Sequence, residues 1–116
     1  MRVVFLGSGT SQGVPVITCK CEVCTSDDPK DNRLRSSVLI EVEKKTFVID
    51  AGPDFRQQML REKVMKLDAI LLTHSHKDHV GGLDDVRAFN FTQLQPMDIF
   101  ADDLTATVVK SDFAYA

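Results

Sequence analysis

No stretch of this sequence is apolar for long enough to cross a membrane. Its opening residues, MRVVFLGSGT, hold one arginine and only four consecutive apolar residues, too few for the core of a secretion signal. A cytoplasmic location is the expectation. Basic excess is missing too, and a net charge of −3 argues against a surface made to grip nucleic acid or anionic lipid. Three cysteines cannot all pair within one chain, so a disulfide framework is a poor reading of them. The glycine-rich GSGTSQG is not spaced as GxGxxG, and no GK[ST] follows it, which removes the familiar nucleotide-cradling motifs. What is left, at 116 residues with 43% hydrophobic and 27% charged, is one globular domain with a sizeable core.

The hydrophobic pattern predicts an α/β layered domain with helices packed on a sheet. Residues 2–6, RVVFL, read as a buried strand, and residues 7–36 as a long irregular stretch of the kind that is functional or tied down. Residues 36–50 read as two strands around Glu43, Lys44 and Lys45. Pro53 opens a helix over 54–64, with Phe55 and Met59 turned inward and Leu60 a further candidate for that face. Residues 68–73 are nearly all apolar, as in a strand buried on both faces. A helix from Leu83 to Phe91, a strand from Met97 to Ala101 and a last helix from Asp102 follow. That last helix has no glycine or asparagine stop, so the fold is expected to continue past it.

The histidines are the informative feature. All three lie in THSHKDHVGG, residues 73–82, directly after the apolar strand. His74 and His76 are two apart, so in extended backbone they point the same way and can share one ion. Asp78 and His79 follow on the turn, close enough to hold a second. Imidazole mixed with carboxylate suits zinc, manganese or iron. Gly81 and Gly82 let the chain turn tightly into the next helix. Cys19, Cys21 and Cys24 form a second candidate site, CxCxxC, whose thiolates suit a tetrahedral structural zinc pinning the 7–36 loop.

The set His74, His76, Asp78 and His79, as HxHxDH, resembles the signature of the metallo-β-lactamase superfamily. The first strand, the segment FVIDAG at 47–52 and ILLT at 70–73 come in that superfamily's order. GSGTSQGVPVITCKCEVC resembles the PhnP-type phosphodiesterase branch in particular, and GLDDVR at 82–87 resembles that branch's relatives. The resemblance implies the N-terminal αβ half of a four-layer αββα sandwich, and residues 1–116 are expected to be that half of a hydrolase domain. It implies two divalent ions, zinc or manganese, with His74 and His76 on one and Asp78 and His79 on the other. A hydroxide held between them would attack a small phosphodiester, a cyclic sugar or nucleotide phosphate among the candidates, with Asp78 as the catalytic residue steering it. Asp50 would brace the backbone of the histidine loop.

The family completes both sites with donors beyond this loop, yet no histidine follows His79, and the fourth ligand of the cysteine zinc is also missing. The 116 residues alone are therefore expected to be inactive. They are also expected to associate with another copy, as a homo-oligomer or swapped dimer, because half a sandwich leaves a sheet face bare. Arg87, on the helix leaving the loop, is a candidate contact for a substrate phosphate. Two other readings compete: a tRNA 3′-processing nuclease of the ribonuclease Z type, against which charge and CxCxxC both argue, and a non-catalytic metal-binding half-domain. The coenzyme PQQ biosynthesis protein B group shares the glycine-rich loop and CxCxxC, with a less complete histidine loop expected.

Overall fold

The computed structural model describes residues 1–115. Five strands form one sheet in sequence order: β1 (Arg2–Gly7), β2 (Ser37–Val42), β3 (Lys45–Ile49), β4 (Ala69–Leu71) and β5 (Asp98–Phe100). The first three pair antiparallel, and β3–β4 and β4–β5 are parallel. Glu43 and Lys44, both at positive φ, make the tight β2–β3 turn whose twist matches the flanking strands. Strands β1, β3, β4 and β5 consequently run the same way, and their C-terminal ends share one end of the sheet.

Strand alternation sorts the side chains by face. Leu39, Val48 and Ile70 lie side by side in register and are fully buried. Helices α1 (Phe55–Arg61) and α3 (Arg87–Gln93) contribute Phe55, Met59 and Phe89 to the same core, with Phe55 edge-on to Phe89 at 6.3 Å. The opposite face carries Val3, Phe5, Ile40, Phe47, Ile49, Leu71 and Phe100, with no layer over it among the described residues. Phe5 is 75% exposed there and Phe100 59%, and Ile40, Phe47, Ile49, Ala69, Leu71 and Phe100 line a shallow hollow of about 300 Å³.

Several sequence expectations need correction. Strand β4 is not buried on both faces, because Leu71 points to the bare side. Leu60 faces solvent and Gln58 takes the inward place, because its amide donates to the Arg35 carbonyl at 3.0 Å. Helix α1 starts at Phe55 and ends at Arg61, so Pro53 precedes it. Asp54 at the N-cap pairs with Arg35 instead of capping. The 83–91 segment begins as a 3₁₀ turn, Leu83–Val86, before α3. The final helix, α4 (Asp103–Asp112), is capped at its start by Asp102 accepting from the Thr105 N–H, and it stops at Phe113 despite the missing glycine.

The glycine-rich loop has a packing role. Gly7 and Gly9 lie flat against the backbone of residues 33–35, where a Cβ would collide with main-chain oxygens. Bridges from Gly9 to Arg35 and from Val14 to Arg33 then fold the long 7–36 segment back on itself.

Candidate metal centre

Strand β4 ends at Leu71, and Thr73 to His76 lead into the short helix α2 (Lys77–Val80), with His76 extended at its N-cap. This short path brings the three imidazoles together. The His74 ring centre is 4.5 Å from that of His76 and 4.1 Å from that of His79. Asp78 joins them, with Oδ2 3.0 Å from His79 Nε2. Below the loop, Gly52 packs on the Asp78 carbonyl and Gly82 on the Gly52 carbonyl, so the β3–α1 turn and the histidine loop interlock with no room for a side chain at either glycine.

Asp50 holds this arrangement from beneath. It is 4% exposed and sits at φ 66, a left-handed conformation that aspartate tolerates better than most residues. Ser37 donates its hydroxyl to the Asp50 carbonyl at 2.8 Å. The carboxylate accepts the Thr73 N–H at 2.8 Å and the Thr73 hydroxyl at 2.7 Å, and it lies 2.7 Å from His79 Nδ1. An oxygen of Asp50 and one ring nitrogen each of His74 and His79 lie within 4.8 Å of one another, so the three could be read as a metal set. Three donors already reach its oxygens, an arrangement that suits a brace, and His74, His76, Asp78 and His79 are the candidate ligands beside it.

The donor geometry fits a cation. With Nδ1 of His79 donating to Asp50, a neutral ring turns a lone pair toward Asp78 Oδ2 at 3.0 Å. Two acceptors at that distance need a proton or a cation between them. Donors each about 2.1 Å from one ion lie roughly 3 to 3.4 Å apart, which matches.

Arg87 is not drawn into the cluster. It is exposed, and its Nε donates to the Asp84 carbonyl of its own turn at 3.1 Å. The Asp84 carboxylate instead accepts the Tyr115 hydroxyl, and that bond holds the Tyr115 phenol above its usual range. Sequence reasoning overlooked Thr73, whose hydroxyl links Asp50 to His74. A hydroxyl residue directly before the first histidine, at the end of a buried strand, was the available signal.

The cysteines also converge, with the three sulfurs within 4.8 Å of one another. Cys19 and Cys21 are exposed and Cys24 is half-buried. The Cys24 N–H donates to Cys21 Sγ at 3.4 Å, and the Val16 N–H to Cys24 Sγ at 3.4 Å. The Cys24 N–H first, then Cys19, lowers the Cys21 thiol to about 7. The Val16 N–H also lowers Cys24, but Cys19, burial and Cys21 together leave it raised. Cys21 is accordingly expected to be the most reactive of the three. Its alkylation by iodoacetamide, mapped by mass spectrometry, should rise steeply from pH 6 to pH 8 as the thiolate forms, and zinc should suppress it. Equal labelling of all three thiols across that range would contradict this assignment.

A family model described as the β-lactamase superfamily domain matches residues 45–116. The solved structure of a diphosphatase from the PhnP family is 48% identical, with a TM-score of 0.93, over 97% of this chain and 46% of that one. Zinc-bound PqqB from Methylobacterium extorquens is 28% identical with a TM-score of 0.77, over 98% of this chain and 40% of that one. An octanoyltransferase of Porphyromonas gingivalis is 57% identical over 88 residues, which are 75% of this chain and 18% of that protein. The chain thus spans less than half the length of each of these three.

Proposed function

The chain belongs to the β-lactamase superfamily, whose fold it shares, and from that premise we propose that it is the metal-binding part of a hydrolase acting on a small phosphodiester. One observation carries the reading: three imidazoles and a carboxylate converge at the end of β4 in a chain 48% identical to a diphosphatase. Octanoyl transfer is not brought over, because the matched region is only 18% of the protein so named.

His74 and His76 would hold one divalent ion, zinc or manganese, and Asp78 and His79 a second. Bound there, such ions supply Lewis acidity toward a phosphoryl oxygen and make water a nucleophile near neutral pH. The residues of the chain do the rest. Asp50 keeps the Nδ1 proton of His79 and so leaves Nε2 free. Asp78 orients the attacking water by accepting one of its hydrogens. Cys19, Cys21 and Cys24 would clamp a structural zinc, and three unpaired thiols accord with a reducing, cytoplasmic location. No helix among the described residues is long and apolar enough to cross a membrane. The bare sheet face would take a second apolar layer, provided for this chain alone by another copy. Nucleic acid is a poor substrate for it, given a net charge of −3.

Turnover of bis(p-nitrophenyl) phosphate tests the reading. A protein carrying this chain with all its donors should hydrolyse it in a zinc- or manganese-dependent way. His76→Ala should reduce the rate by more than the roughly 10–100-fold that loss of an outer partner costs. The 116 residues alone should show little turnover, since the loop's histidines are the only ones in the chain. A protein with all its donors that loads metal yet leaves this diester intact would sink the substrate assignment.

A further inference from the structure

The Thr73 hydroxyl lies between two groups that make different demands on its single proton. Oγ1 is 2.7 Å from Asp50 Oδ2 and 2.8 Å from His74 Nδ1. An ionised carboxylate can only accept, whereas a hydroxyl donates once and accepts through its lone pairs. If the hydroxyl donated to His74, two oxygens offering only lone pairs would face each other at 2.7 Å beside a carboxylate that is 4% exposed. The proton therefore goes to Asp50, and the vacant lone pair of Oγ1 requires a hydrogen on His74 Nδ1. His79 meets the same carboxylate directly through its own Nδ1, at 2.7 Å.

We propose that Thr73 is a positioning residue that sets the tautomer of His74, relaying the demand of Asp50 so that Nε2 of His74 stays unprotonated. The arrangement works against intrinsic preference, because a free neutral imidazole favours the proton on Nε2. A ring in that favoured form would turn an N–H, and not a lone pair, toward a cation in the loop. One buried carboxylate thus prepares two rings, the second through a hydroxyl. His76 serves as the internal reference, since its ring bonds to neither Asp50 nor Thr73.

Long-range proton–nitrogen NMR on the ¹⁵N-labelled, chelator-treated chain, at a pH where the rings are neutral, reads the tautomers directly. His74 should show the Nδ1–H form there, and His79 should show it once zinc takes the place of the proton between its Nε2 and Asp78 Oδ2. Thr73→Val keeps the size and loses the hydroxyl, so it should move His74 toward Nε2–H and leave His79 unchanged, and Thr73→Ser should restore the original state. Zinc affinity by chelator competition should fall about 10-fold in Thr73→Val and recover in Thr73→Ser. Finding His74 protonated on Nε2 in the unaltered chain overturns the proposal, and that measurement needs no variant to fold. An unchanged His74 tautomer in a folded Thr73→Val variant overturns it as well. The effect on zinc rests on the metal-centre reading and the tautomer does not. The expected His74 tautomer in a chain that binds no zinc would uphold the relay and count against the metal centre.

Discussion

Asp50→Asn should lower the zinc affinity of the histidine loop by roughly 10–100-fold and destabilise the fold by about 1–3 kcal/mol. The substitution is nearly isosteric, and asparagine accepts the left-handed backbone of position 50, at φ 66, so the change is confined to the side chain. Three donors surround this carboxylate: the Thr73 N–H, the Thr73 hydroxyl and His79 Nδ1. An amide has one accepting oxygen: turned toward the hydroxyl and His79 it sets its NH₂ against the Thr73 N–H, and reversed it makes the hydroxyl and His79 Nδ1 accept. The first leaves a buried donor unsatisfied, at about 1–3 kcal/mol, and the second turns the rings to the Nε2–H form, which faces a cation with a hydrogen. Chelator competition measures the affinity. Thermal unfolding should show a midpoint lower by roughly 4–12 °C for a domain of this size. Affinity and midpoint both near the original values would show that the loop stands without this brace.

The second large effect concerns the bare sheet face. Monomers rarely expose contiguous apolar patches beyond a few hundred Å². Here Val3, Phe5, Leu71 and Phe100 are 48%, 75%, 40% and 59% exposed on one face. The 116-residue chain should accordingly sediment as a dimer or larger species at high concentration. Phe5→Asp should shift it strongly toward monomer without harming the fold, because at 75% exposure Phe5 contributes little to the monomer's own core. The contrast between the two sedimentation profiles is the measurement. A well-folded monomer in the unaltered chain at high concentration would remove the case for association. If the layer is instead supplied by further residues of a longer protein, that protein should be monomeric while the isolated 116 residues associate.

The local elements were largely legible because each rests on neighbours in sequence. Phe47, Val48 and Ile49 form a strand whatever they pair with, and Glu43–Lys44 makes the turn between two such strands. The histidine loop was legible for the same reason: a pair of histidines two residues apart is kept close by the chain itself, and the rings of His74 and His76 lie 4.5 Å apart. Gln58 could not be read, since a polar residue goes inside only when a distant acceptor, here the Arg35 carbonyl, waits for it. Leu71 was misjudged because an apolar side chain does not reveal whether its face is covered.

The donors were written into the chain locally: three imidazoles, the Asp78 carboxylate and three thiols, each group set by spacings short enough for the chain to enforce. What those donors are ready to do depends on contacts between distant segments. Asp50 and Thr73 lie 23 residues apart, and the end-to-end alignment of β3 with β4 is what lets one carboxylate direct two rings. A proton's position on an imidazole depends on the partner across the gap, and no local pattern carries that information.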